Sequence, residues 1–306
     1  MKYRILPLLL SAALLGGCTD IRTRLSPDLL AADTGDSIRL AAHTTQGDTV
    51  ITAEAAAPRL LPEALQNAAG AEISAGHISM LLIHGEPCAL LETALQQQWL
   101  PPTGTVLLLP DSACEALRDG TAPAAGQLAA AAEAGLLPAC TADTVLGDLW
   151  GGSGIAAFPA AENGCLTLSL RAHGTDFGTL SGNACRGLAL LGNRWKSFSF
   201  PCGDAVCSVR KAALKTAVTE NSGRVCITVS GTVHAENADP EVAVQVLTEL
   251  LLAALHETAR NTGADILFLR EYAVRGGIHA AKSCSQAEWA TLLRQAEYRI
   301  SIAVRC

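Results

Sequence analysis

The residue whose type and setting most clearly promise chemistry is Cys18. It follows Leu15-Gly16-Gly17, and ahead of it lie basic Lys2 and Arg4 and an apolar run from Ile5 to Leu15 broken only by Pro7 and Ser11. A basic end retained in the cytoplasm, an apolar stretch for the translocon and small residues at the cleavage point make residues 1–17 a secretory signal. A cysteine directly after such a signal completes a lipobox. Its thiolate takes a diacylglyceryl group and it becomes the mature N-terminus. The apolar run falls well short of the roughly 20 residues that span a bilayer, which argues against an uncleaved anchor. No later segment reads as a span, so lipid on Cys18 would be the membrane attachment, each buried CH₂ adding about 0.8 kcal/mol.

Elsewhere the residues suggest little chemistry. There is no P-loop, G-x-S-x-G elbow, HExxH or EF-hand loop. His84-Gly85 follows a strand pattern, where hydrolases can place an oxyanion loop, but no serine nucleophile accompanies it. His77 and His84 flank that strand without a carboxylate or cysteine pattern that would make them metal ligands, and Glu86 reads as a first-turn helix acid. Gly151-Gly152-Ser153-Gly154 lacks the lysine and preceding strand of a phosphate cradle and reads as a turn. His256 sits on a polar helix face, and Asp265 reads as turn chemistry or a partner contact. No catalytic residue, metal site or cofactor is expected. Ten cysteines remain beside Cys18. No CxxC pair occurs among them. Cys88 and Cys114 lie in apolar patterns as buried free thiols do, while a local Cys202–Cys207 bridge stays open.

The elements that would position these residues come from 306 residues, 49% hydrophobic and only 4% aromatic, with 22 Lys+Arg against 29 Asp+Glu for a net charge of −7. That balance argues against nucleic acid as a partner, since binders usually carry a basic footprint. Residues 18–36 read as a lipidated N-terminus and tether. Residues 37–119 read as a small mixed α/β module: a hairpin, a helix from Pro58, a strand over His77–Ile83, a helix over Glu86–Leu100, a strand over Thr105–Leu109, and a helix capped by Asp111 or Ser112. The strand–helix–strand unit implies a parallel pair. Residues 120–195 form a middle module with helices near Gln127–Leu137 and Asp143–Leu149. Residues 196–306 read as an α+β module, in which a long helix packs on an antiparallel sheet. Asp239 caps that helix, Pro240 opens it, Val244, Leu247, Leu251 and Leu255 form its buried stripe, and Gly263 stops it. Short strands are expected at Asp265–Leu269 and Tyr298–Val304. The overall fold class is α+β.

Three stretches together resemble the Ger(x)C lipoproteins, the C subunits of spore germinant receptors. They are Leu15-Gly16-Gly17-Cys18-Thr19-Asp20 with Arg22 and Arg24; Glu63-Ala64-Leu65 through His77–Glu86 and on to Leu117; and the long helix ending in Asn261-Thr262-Gly263-Ala264-Asp265-Ile266-Leu267-Phe268, followed by Trp289 and the closing strand. The resemblance implies a non-catalytic lipoprotein anchored on the outer face of the cell membrane or spore inner membrane. It implies two integral membrane subunits, of A and B type, as partners in nutrient-triggered germination. A solute-binding lipoprotein of a transporter is the competing reading, and it would need two similar α/β lobes. A lipid-anchored hydrolase would need a nucleophile constellation that the sequence lacks.

Overall fold

The computed structural model describes residues 24–44, 48–151, 153–193, 195–203, 205–221, 223–237 and 239–305. The expected signal segment and Cys18 lie outside them. In chain order the elements begin β1 (Arg24–Leu25), β2 (Pro27–Asp33), β3 (Ile38–Thr44), β4 (Thr49–Ala55), α1 (Leu61–Ala69), β5 (Glu72–Ile73), β6 (Met80–His84), α2 (Cys88–Gln96) and β7 (Thr105–Leu108). There follow α3 (Ala113–Arg118), α4 (Ala125–Glu133), α5 (Ala142–Trp150), β8 (Ala156–Glu162), β9 (Cys165–Ala172), β10 (Thr175–Thr179) and α6 (Gly182–Gly192). The last stretch holds β11 (Phe198–Cys202), β12 (Ala205–Asn221), β13 (Arg224–Glu236), α7 (Pro240–Leu255), α8 (Leu269–Arg275), α9 (His279–Ser283), α10 (Gln286–Gln295) and β14 (Glu297–Arg305).

Two large sheets organise most of these elements, and β1 and β5 form a separate parallel pair. The larger has eight strands in the order β10-β9-β8-β7-β6-β2-β3-β4. Its centre, β2, β6 and β7, is parallel, as the strand–helix–strand pattern implies. Helices cover both faces. Leu61, Leu91 and Val145, of α1, α2 and α5, join one core with Leu30, Leu81 and Val106. Ala113, Leu117 and Leu128, of α3 and α4, join another with Ala31, Met80 and Leu82. Burial on two faces explains why β6 runs Met-Leu-Leu-Ile without alternation.

The tether ends sooner than expected. Pro27–Asp33, read from sequence within a polar leader, is a strand hydrogen-bonded between β3 and β6. Proline suits the first position of a strand. Leu30, Ala31 and Ala32 behind it are small or apolar enough to be buried on both sides. Nor does residue 120 mark a break between sheets: β8–β10 extend the sheet that β2–β4, β6 and β7 build, through one bridge pair, Leu108 with Ala160.

The second sheet takes its strands from the C-terminal third, in the order β11-β12-β13-β14. It is mixed rather than purely antiparallel. β14 runs parallel to β13, because the four helices between them carry the chain back to the starting end. α7 begins as its sequence says: Asp239 accepts hydrogen bonds from the Glu241 and Val242 amides. It continues as a π-helical turn over His256–Arg260 and stops at Gly263, whose φ is +76°. By length and composition Pro240–Arg260 could cross a membrane, contrary to the expectation that nothing after the signal qualifies. Here it is a core helix, with Leu247, Leu251 and Leu255 wholly buried.

α6, not foreseen from sequence, joins the two units. Its Ser181 cap is held by Glu257 from the π turn, the Ser181 amide donating at 2.7 Å and its hydroxyl at 2.5 Å. A Cβ on Gly187 would lie 2.0 Å from the Leu250 carbonyl oxygen, so only glycine permits this approach of α6 to α7.

Candidate functional site

The His84-Gly85-Glu86 loop lies where β6 ends. Gly85 has φ +94°, and a Cβ there would meet Thr34 Oγ1 at 2.3 Å, which fixes the residue type. Thr34 braces the loop: its amide donates to the His84 carbonyl at 2.9 Å, and its hydroxyl accepts from the Glu86 amide at 2.5 Å. The Glu86 carboxylate accepts from the Cys88 and Ala89 amides at the start of α2, the first-turn role its position suggests. A cleft of about 480 Å³ opens between this loop, Leu108–Pro110 and the β9–β10 arm, where Arg171 pairs with Asp176 at 2.6 Å. His84 Nδ1 faces the Leu109 carbonyl at 3.3 Å. The described lining includes no serine or cysteine, so the serine nucleophile that an oxyanion loop would serve is not among these residues.

His77 is exposed and His84 half-buried, and neither belongs to the group of possible metal ligands among the described residues. That group is Glu86, Cys88 and His173, which bring ligand atoms within 4.8 Å of one another. Their present bonding is structural. Both Glu86 oxygens already serve helix amides. Burial, with Glu86 adding to it, pushes the Cys88 thiol up to about 12. His173 Nε2 lies 3.1 Å from Glu92, which also accepts from the Trp150 indole at 2.7 Å. These contacts tie the β9–β10 turn to α2.

A second cleft, of about 300 Å³, sits at the seam between the two units, lined by Gly151, Asp265, Phe268, Arg270 and Val274 among others. Asp265 organises it. Its carboxylate accepts from the Leu269 and Arg270 amides at 2.5 and 2.9 Å and from the Trp289 indole at 2.8 Å, while its own amide donates to Ser153 Oγ at 2.8 Å. Burial raises the Asp265 pKa, and these donors oppose the rise. The strand expected over Asp265–Leu269 is therefore a turn capped into α8: a carboxylate that satisfies the first amides of a helix favours that helix over an extended chain. Asp148, half-buried and close to Asp265, is pushed up to about 7 by burial and then by that neighbouring charge. Phe268, Tyr272 and Trp150 are exposed aromatics, and Phe268 lies against Gly151. Sequence reading did not single out Trp150 or Tyr272, because isolated aromatics carry no periodic signal.

Cys88, Cys114, Cys140, Cys165, Cys185, Cys202, Cys226 and Cys284 are free thiols, so no bridge joins Cys202 to Cys207. That pair flanks the β11–β12 turn on different rungs, and their thiols face the backbone carbonyls of Asp239 and Asn237.

No protein-family model matches the chain, and no curated protein matches it significantly. Among solved structures, a crystal structure of the GerBC protein matches with a TM-score of 0.57, covering 90% of this chain and 96% of that chain at 11% sequence identity. The likeness runs through both sheets rather than one. This chain thus has a Ger(x)C-like α+β fold, that of the GerBC protein, over nearly its whole length.

Proposed function

We propose that this chain is a non-catalytic, membrane-anchored lipoprotein subunit of a spore germinant receptor, acting in nutrient-triggered germination beside two integral membrane subunits. The observation that carries the reading is the near full-length fold likeness to the GerBC protein. The lipobox at Leu15–Cys18 supports it from a separate region of the chain. Lipid on Cys18 would confine the molecule to a layer at the outer membrane face, raising its effective concentration toward membrane partners without new contacts. Both clefts fit this role, since their polar groups are engaged in capping and bracing.

Deleting the gene and assaying nutrient germination tests the role. Loss of response to at least one nutrient is expected; unchanged germination across nutrients, with no redundant copy, refutes it. Separately, Cys18→Ala should move the protein out of the membrane fraction.

The cleft of about 480 Å³ beside His84 is the feature that favours a solute-binding lipoprotein instead. The two units differ in strand number and order, so they are not the paired lobes of a hinged binder. A thermal-shift gain with small solutes would favour that second reading.

A further inference from the structure

The C-terminal sheet has one bare face. α7, α8 and α10 pack on the other, against Val218, Ile227, Val229 and Val233. On the open face, strand register lines up Lys211 of β12, His234 of β13 and Arg305 of β14 as direct neighbours across three strands, all exposed. Lys215 stands two rungs further along the same face, in a row with Ser230 and Ser301. Adjacent strands lie about 4.8 Å apart, so the strands that carry Lys211 and Arg305 are about 10 Å apart. Among the described residues no carboxylate pairs with Lys211, Lys215 or Arg305. Nearby Arg210 and Arg299 are instead matched by Glu236 and Glu297. In a chain whose net charge is −7, the fold has gathered uncompensated cations onto one surface.

We infer that this open face of the C-terminal sheet is an electrostatic docking surface for an anionic lipid bilayer. Charge complementarity selects an anionic occupant, and the texture of the face selects a planar one. Ala213, Thr232 and Ala303 fill the rung between the two cationic rows. Those three rungs hold no tryptophan, tyrosine, phenylalanine or large aliphatic side chain. A protein partner would need anchors of that kind at a hot spot, and single-stranded nucleic acid would need stacking platforms. Long Lys and Arg stems over a flat bed of small residues suit a diffuse layer of phosphate headgroups. The inference stands apart from lipidation of Cys18, because it requires only the folded C-terminal unit.

The test uses the full chain carrying Cys18→Ala, sedimented with vesicles of phosphatidylglycerol and phosphatidylcholine in equal amounts and with vesicles of phosphatidylcholine alone. Binding only to the former, and its loss at high salt, are expected. Lys211→Glu with Lys215→Glu should weaken that binding by about tenfold or more while leaving the thermal melt in place. If the reversed pair does not fold, Lys211→Gln with Lys215→Gln is read in its stead and should weaken binding by a smaller factor. Equal binding to both vesicle types, or equal binding by parent and variant, overturns the proposal. Retention on an acidic polypeptide without any vesicle binding overturns it in favour of a protein partner. None of these outcomes depends on the germination assay.

Discussion

The two sheets solve the same burial problem in different ways. In the eight-stranded sheet the central strands have helices on both faces, and Met80, Leu81, Leu82 and Ile83 are consecutive and wholly buried. In the C-terminal sheet β14 alternates half-buried Tyr298, Ile300, Ile302 and Val304 with exposed Arg299, Ser301, Ala303 and Arg305. The difference teaches where tolerance lies. A strand covered on two sides has no neutral position, whereas one covered on one side leaves every second residue free for another purpose.

The largest expected effect follows from that contrast. Leu82→Ala should cost about 2–5 kcal/mol in denaturant unfolding, as truncations at fully packed sites do. The equivalent truncation Ile302→Ala should cost less than half as much, and Ser301→Ala should stay within about 0.5 kcal/mol. Equal losses at Leu82 and Ile302 would break the comparison.

The seam comes next. Gly187→Ala forces a methyl group toward the Leu250 carbonyl, an overpacking expected to cost about 1–3 kcal/mol. Calorimetry should then show the two units unfolding in separate steps, where the parent unfolds in one. Trp289→Phe removes one donor from buried Asp265 and should cost about 1–3 kcal/mol. A variant as stable as the parent would mean that the indole contact is incidental.

The seam should also show in the pH dependence. Asp148 is raised in the folded state to about 7 from an ordinary 3.8, and Asp265 is raised as well. Between those limits the folded chain keeps a proton that the unfolded chain has released. The contribution of Asp148 is therefore fully present at acid pH and lost as pH rises through about 7. Asp148→Asn should flatten that decline and leave the protein more stable at pH 8 than its parent; an unchanged slope would show that Asp148 is not shifted. A smaller loss is expected for Ser285→Ala, which removes the reciprocal cap between Ser285 and Glu288 at the start of α10 and should cost about 1 kcal/mol.

Much of the C-terminal unit was legible in advance because its signals are local. Asp239-Pro240 starts a helix, Gly263 ends it, and β14 alternates at period two. Each rests on backbone geometry or on burial of one face. The expectation failed where the deciding contact is distant. Pro27–Asp33 looked like a tether because its flanks are polar, yet Asp33 is buried under the start of α3, where Ser112 Oγ and the Ala113 amide donate to it across some eighty residues. Asp265–Leu269 looked extended, but the Asp265 carboxylate folds it onto α8 and Trp289. α6 went unread although Ser181 caps it and Asn193 closes it in the left-handed region.

By itself the sequence determined the α+β class, the parallel β6–β7 pair, the long core helix and a lipobox-like start, because helix caps, hydrophobic period and small residues at a cleavage point act within a few residues of themselves. Only the tertiary structure decided that one sheet spans both halves of the first 180 residues and that Glu86, Cys88 and His173 meet. It also decided that Lys211, His234 and Arg305, from three separate strands, stand in one row. Register and crossover choices join residues far apart in sequence, and no local propensity encodes which strand a given row of side chains will face.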